Sequence, residues 1–404
     1  MTIRESFDSM FKLVDPNSKF KSIKTALFYY LIGGCLLEYP ILNKKLDIDM
    51  RFSFICAIAS GYGKKAFGEV VFEVCKSMEK ECISFTSLHE EQLIGKKFWS
   101  KEEKDIKEVR GYFDKDFLIK DDALTFFNNS KFEVARNYML TALDIYGKNR
   151  IYKRIVEMND ALEYYGRCSF LGFIQINEKI NNNSIASGLF RRVPILRVDL
   201  TKEEKEYILE NNYEEFKPQQ QELFEFFRNI RNIRNISYLE MSQELIEKIN
   251  KKCKEYYTTN ELLDSIYIIN KNNIIKFSYI NALIRHYNAY KPYNLKTNIE
   301  LSIIEEDIDK AIVDYDLIYN SIKNFIDKNR INLHPIKQEI LNLLKERNCL
   351  REESSNISSS EVIRLIKEKT NENEATIKYH FYEMKGKIID SKQNGQYGSK
   401  VWIK

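Results

Sequence analysis

Short apolar runs closed by glycine or by polar pairs alternate with helical stretches through the first half of the chain. The run Phe52, Phe54, Ile55, Cys56, Ile58 stops at Ala59-Ser60-Gly61-Tyr62-Gly63-Lys64-Lys65 and passes into AFGEVVFEVCKSM, which has a helical pattern. This reads as strand, glycine turn and helix. Further short strands are predicted at residues 82–86, at 117–119 ahead of Lys120-Asp121-Asp122, at 169–177 and at 193–198. Residues 88–95 and 123–145 read as helical, and the charged stretch 101–110 as a solvated connection or a short helix. Ahead of the first strand, residues 19–38 read as a helix that packs onto the next domain and ends at Tyr39-Pro40.

From Thr201 the texture changes to long, charged, helical sequence. Residues 227–236 hold an Arg-Asn-Ile microrepeat whose period of three makes the arginines drift around a helix. Residues 274–285 form an apolar helix carrying Lys276 and Arg285, and 307–325 a further amphipathic helix. The last stretch reads as a separate module. Pro335 opens a helix over 336–347, Ser358-Ser359-Ser360-Glu361 caps one over 362–369, and a third covers 371–387. Ile388-Ile389-Asp390 and Lys400-Val401-Trp402-Ile403 then flank an Asn394-Gly395 turn. Three helices and a hairpin are the pattern of a winged helix. The expected division is therefore an N-terminal helical segment (1–50), an α/β P-loop NTPase core (51–200), a helical lid or linker region (201–330) and a winged-helix domain (331–404).

At 404 residues and 44% hydrophobic content the chain is long enough for several cored domains. A net charge of only +4 gives no global field of the kind that marks a nucleic-acid binder, so any basic surface is local. One such surface is at the end: residues 375–404 hold six Lys and two acids, a local +4. Seven cysteines without a CxxC pair read as reduced core residues of a cytosolic, cytoplasmic protein, and four histidines without ligand spacing argue against zinc. The longest apolar run, 26–37, is too short to span a bilayer, so no membrane contact is expected.

Candidate chemistry gathers at the strand ends. In a phosphate-binding loop the glycines let backbone N–H groups converge on phosphate oxygens, the helix N-terminus adds its dipole and one lysine reaches the β/γ-phosphates. Ser60, Gly61, Tyr62, Gly63, Lys64 and Lys65 are the candidate loop, with Lys64 as that lysine; the alternative is a plain βα turn. The spacing departs from GxxxxGK[ST], since Ile58 stands at the first glycine and Lys65 where a hydroxyl ligates Mg²⁺. An apolar strand ending in paired acids offers one carboxylate, Asp121, for the metal shell and another, Asp122, to orient or deprotonate water; the alternative is a turn. Gln175 or Asn177, beyond the next strand, could orient the attacking water or sense the γ-phosphate; the alternative is an Asn that merely caps. Arg191 and Arg192 could form structural ion pairs or supply an arginine finger to a neighbouring subunit. The basic cluster Lys148, Arg150, Lys153 and Arg154 reads as a solvated helix face or a DNA-contacting loop.

The ordered set SGYGKK, FLIKDD, FLGFIQIN and SGLFRR resembles RecA/AAA-like P-loop ATPases of the helicase or primase-helicase type encoded by plasmids, viruses and other mobile elements. The resemblance covers about residues 52–199, with a weaker continuation to about 323. It implies ATP and Mg²⁺ as cofactors, with Mg²⁺ dependence questioned by Lys65. It also implies Lys64 on the phosphates, Asp121 and Asp122 on metal and water, Asn177 as sensor, and Arg191 or Arg192 as finger. Residues 274–285 resemble the lid of such ATPases, where Lys276 or Arg285 would reach back to the phosphates. The implied partners are DNA and further copies of the chain, in a ring. In a helix-turn-helix arrangement Thr376, Lys378, Tyr379, Tyr382 and Lys385 would face DNA, with Lys392 and Lys400 on the wing; the alternative is a protein-docking module. Two functions stay open: an ATP-driven DNA helicase or translocase, and a nucleotide-binding replication initiator or regulator that barely hydrolyses.

Overall fold

The computed structural model describes residues 2–11, 15, 17–36, 41–42, 49–59, 61–85, 90–100, 105–123, 126, 130–143, 151–155, 161–165, 168–176, 188–211, 221–231, 235–238, 241–257, 261–289, 298–329, 335–349, 356–370, 372–385, 389–393 and 399–403. The chain divides into two units, Met1–Lys328 and Asn329–Lys404.

The first unit is built on a sheet of five strands, β1 (Phe54–Ala57), β2 (Cys82–Ser84), β3 (Phe117–Lys120), β4 (Ser169–Ile174) and β5 (Ile195–Arg197), in the order β5-β1-β4-β3-β2. Every neighbouring pair is parallel, so all five carboxyl ends share one edge. β1, β3 and β4 are buried throughout, as unbroken apolar runs are when helices cover both faces of a parallel sheet. Gly172 in β4 allows the close packing here, because a Cβ would lie 2.9 Å from both Ala123 and Ile55.

Helix α1 (Lys21–Cys35) is buried throughout from Ile23 onward, with the one buried charge, Lys24, paired to Asp15 at 2.7 Å. Tyr30 on α1 meets Phe54 and Phe117 of the sheet, with ring centroids 5.9 and 5.3 Å apart. Tyr29 stacks on Phe277 of α3 (Glu261–Ala289) at 3.7 Å, and its hydroxyl donates to Asp314 of α4 (Glu305–Asn329) at 2.7 Å. Helix α2 (Lys64–Ser77) follows β1. The described residues of segment 1–50 and helices α3 and α4 thus share one core with the sheet. Long-range contacts join them, such as Tyr29 to Asn281 at 3.0 Å between residues 252 positions apart, and periodicity along the chain does not report them.

Three expectations change. Within 101–110, Asp105–Arg110 is a strand paired antiparallel with Gly95–Ser100, not a connection or helix. Lys153 and Arg154 sit in the strand Ile151–Ile155, paired with Ala161–Tyr165, and not on a helix face; Lys148 and Arg150 lie outside the described residues. A hairpin draws its backbone hydrogen bonds from its own partner strand, which is how these charged segments form strands. The microrepeat is split: its helix ends at Arg231, and Asn235–Tyr238 lies between Ile41–Leu42 and Asn298–Leu301 in a second parallel sheet.

The second unit consists of α5 (Pro335–Glu346), α6 (Ser359–Thr370), α7 (Glu374–Met384) and an antiparallel hairpin of Ile389–Gln393 with Ser399–Ile403. Its own core includes Ile340, Leu344, Val362, Ile366, Ile377, Phe381, Ile389 and Val401. Asn373 caps α7 by accepting from the Thr376 amide at 2.8 Å. The hairpin is tied back through Val401 N–H to Ile357 O at 3.1 Å and Ile403 N–H to Cys349 O at 2.9 Å.

Candidate functional site

The chain leaves the carboxyl end of β1 through Gly61 and Gly63, both left-handed at φ of +84° and +93°. Gly63 is also the residue that opens α2, and no side chain caps that helix. The first-turn N–H groups and the positive end of the dipole are therefore directed at the loop, an arrangement suited to an anion. Phe20 and Phe67, 5.3 Å apart, pack beneath Gly63, where a Cβ would come to 3.4 Å of Phe67. Tyr62 is half-buried, with the Lys205 ammonium 5.8 Å from its ring.

β3 ends in Lys120, and the chain turns at once through Asp121 and Asp122, both exposed. The turn is locally built. Asp122 adopts a φ of +52°, a conformation Asp tolerates better than most residues, and its N–H donates to Asp121 Oδ1 at 3.0 Å. Lys120 Nζ donates to the Asp121 carbonyl at 2.6 Å and lies 5.8 Å from the Phe85 ring. Burial pushes the Lys120 ammonium below the ordinary lysine range, while Asp122 and Asp121 pull it back up. Sequence reasoning passed over Lys120. Its signal is a lone cation closing an apolar strand, directly before two acids.

Between loop and acid turn lies a cleft of about 550 Å³, lined by Gly61, Gly63, Lys64, Lys65, Asp121, Asp122 and Gln175, with Glu69, Phe72, Ser84 and Phe173 on its walls. Lys64 Nζ stands 3.8 Å from Asp121 Oδ1 across it. Because β4 is inserted between β1 and β3, Gln175 emerges between the loop and the acids. Ser60 and Asn177 lie outside the described residues.

Arg191, Arg192 and Lys276 are not brought to this cleft. They line a small cavity of about 30 Å³ at the amino end of β1, together with Asp49, Arg51 and Asn273. The chain reaches Arg191 and Arg192 just before β5 begins, so a parallel sheet fixes them at the opposite edge. Lys276, expected at the phosphates, is instead buried with its Nζ donating to Arg51 O at 2.9 Å. Arg285 is bound to Asp307 at 2.9 Å and to Ser302 O at 2.6 Å. Asp49 grips the Arg51 guanidinium with contacts of 2.6 and 2.8 Å, and Arg51 also donates to Ala142 O at 2.8 Å. Burial alone would raise the Asp49 pKa, but Arg51 outweighs it and holds the carboxyl below its ordinary value.

No family model matches the chain, and no curated protein matches it. Among solved structures it is similar to a Cytophaga hutchinsonii protein described as a putative ATPase, at 13% identity and a TM-score of 0.43, over 78% of this chain and 86% of that one.

The five-stranded parallel sheet with its surrounding helices, a glycine loop and lysine after one strand and paired acids after another, fits a P-loop nucleotide-binding core. The donor set also fits Mg²⁺ of the kind that keeps several waters and takes one or two carboxylates plus substrate phosphates. Asp121 and Asp122 supply such carboxylates, whereas among the described residues no group of three or more His, Cys, Asp or Glu could cage a metal. Among the described residues no helix is long and apolar enough to cross a membrane.

In the second unit Tyr379 and Tyr382 on α7 are 65% and 59% exposed. Lys378 is exposed and paired with Glu374 at 2.7 Å, and Thr376 is half-buried behind the cap. Lys385, Lys392 and Lys400 are exposed, the last two directly opposite one another in the hairpin register.

Proposed function

We propose that this chain is an ATP-binding ATPase that couples hydrolysis to DNA, as a helicase- or translocase-like motor in the replication or maintenance of mobile-element DNA. The observation that carries this reading is the cleft itself: Lys64 and Asp121 face each other at 3.8 Å with Gln175 emerging beside them, at one edge of a parallel sheet. Lys64 and the loop N–H groups hold the β- and γ-phosphates. Asp121 would hold Mg²⁺, which would supply charge neutralisation at the phosphates. Asp122 orients and deprotonates the attacking water, and Gln175 or Asn177 keeps that water in line.

The four residues of β1 span about 13 Å, so Arg191 and Arg192 at the other edge do not serve their own cleft. Their position supports a finger delivered to a neighbouring subunit, which requires a homo-oligomer, here read as a ring. The second unit is read as a winged helix that engages DNA, supported by its three helices, hairpin and local lysines. Lys65 supports a second reading, a nucleotide-binding initiator or regulator that turns over slowly, because an ammonium lines the cleft where a hydroxyl would ligate the metal.

The test is ATP hydrolysis by the full chain with and without Mg²⁺ and DNA, beside Asp122→Asn. The variant keeps the shape of the turn and loses the base, so nucleotide binding should survive and turnover fall by roughly 100-fold or more. Turnover at the wild-type rate would make Asp122 a turn residue.

A further inference from the structure

We infer that the second unit recognises unpaired bases, so that its ligand is single-stranded rather than duplex nucleic acid. This rests on the reading of that unit as a DNA-engaging module and gives it a ligand class. Reading base edges in a duplex groove calls for Arg, Lys, Asn or Gln side chains placed for paired hydrogen bonds. The described outward surface of α7 provides one such residue, Lys378, whose ammonium is already bonded to Glu374 one turn back at 2.7 Å. Asn373, at the start of the helix, is used as its cap.

What α7 does present is a pair of tyrosines. Tyr379 and Tyr382 are three positions apart, which puts them on one face, and each is more than half exposed. Each ring is set by a neighbour at a steep angle: Tyr379 meets His380 at 5.1 Å and 74°, and Tyr382 meets Phe381, part of the core, at 5.7 Å and 86°. Neither contact is a face-to-face stack. Both rings keep accessible π surface while their orientation is supported from within the unit.

The same unit carries exposed cations: Lys385 follows the last turn of α7, and Lys392 and Lys400 stand directly opposite one another in the hairpin. Exposed aromatic rings beside lysines are the combination that holds single strands: stacking is worth about 1–3 kcal/mol per base whatever the sequence, and the cations track the phosphates.

The experiment measures binding of the full chain, at matched salt, to a thymidine strand of about 15 nucleotides, an abasic strand of equal length and a duplex of equal length. The thymidine strand should bind about tenfold tighter than either competitor. Tyr379→Ala and Tyr382→Ala should each weaken thymidine binding by roughly fivefold to 100-fold with the abasic affinity and melting temperature unchanged, and Phe at either position should restore it. Lys392→Ala should instead weaken thymidine and abasic strands alike and lower the salt slope by about one. Equal affinity for thymidine and abasic strands, tighter binding of the duplex, or no binding of any strand, as for a face that docks protein, would each overturn the inference. None of these readouts depends on ATP turnover, so failure here and failure of the ATPase reading are distinguishable.

Discussion

At the amino edge of the central sheet, Asp49, Arg51 and Lys276 are each no more than 5% exposed and are held by one another or by backbone carbonyls. At the carboxyl edge, Asp121 and Asp122 are exposed, Lys65 is exposed, and the chain passes through three left-handed residues, Gly61, Gly63 and Asp122. The same residue types do different work in the two places. Buried charges cost several kcal/mol each in lost hydration, and only close, multiple contacts repay it, so the amino-edge cluster is committed to structure. The carboxyl-edge groups keep most of their hydration and remain available to a ligand. Local strain in the turns is tolerated there because it aims backbone and carboxylates into the cleft.

The largest effect is expected at Asp49. Asp49→Ala leaves the Arg51 guanidinium buried without its carboxylate and should cost about 3 kcal/mol or more of stability, read by denaturant unfolding. A midpoint equal to wild type would mean that the amino-edge cluster is not structural. Lys65→Thr tests the other edge. Placing a hydroxyl at the first turn of α2 should raise turnover about tenfold and make nucleotide affinity more dependent on Mg²⁺. Strong Mg²⁺ dependence in the wild type, unchanged in the variant, would show Lys65 to be a bystander.

A smaller effect sharpens the rule that exposure, and not the edge as such, separates the two regions. Asp199 follows β5 at the carboxyl edge but away from the cleft. Burial would raise its pKa, yet hydrogen bonds from Arg197, Lys328 and Asn324 outweigh that and lower it from 3.8 to about 2. A carboxylate with a depressed folded pKa stabilises above its unfolded value and loses that contribution as the pH falls through the folded one. Asp199→Asn should therefore cost about 1 kcal/mol at neutral pH, after discounting for its partial exposure, and the difference should shrink between about pH 4 and pH 2. A penalty independent of pH would mean that packing, not charge, is lost.

The parts of this contrast differ in how far the sequence disclosed them. β1, the glycine loop, α2, β3 with its acids and β4 were readable because buried parallel strands appear as apolar runs and their ends are marked by glycine or charge. The amino-edge cluster was not, since Lys276 and Arg51 are 225 positions apart and nothing local distinguishes a lysine that will be buried from one that will reach a phosphate. For the same reason the small parallel sheet joining residues 41–42, 235–238 and 298–301 left no local signature. Lys120 was visible in the sequence yet has meaning only once the turn after it folds back over its ammonium.

The central claim, that the open edge is a nucleotide site, is tested most directly by ATP affinity in wild type and Lys64→Ala, with melting temperature measured on both. Lys64 is a partly exposed loop cation facing Asp121 and not a core residue, so its removal should leave the melting temperature within a degree or two and abolish measurable ATP binding, a loss of at least about 100-fold. Equal ATP affinity in the two proteins would contradict the assignment of the cleft.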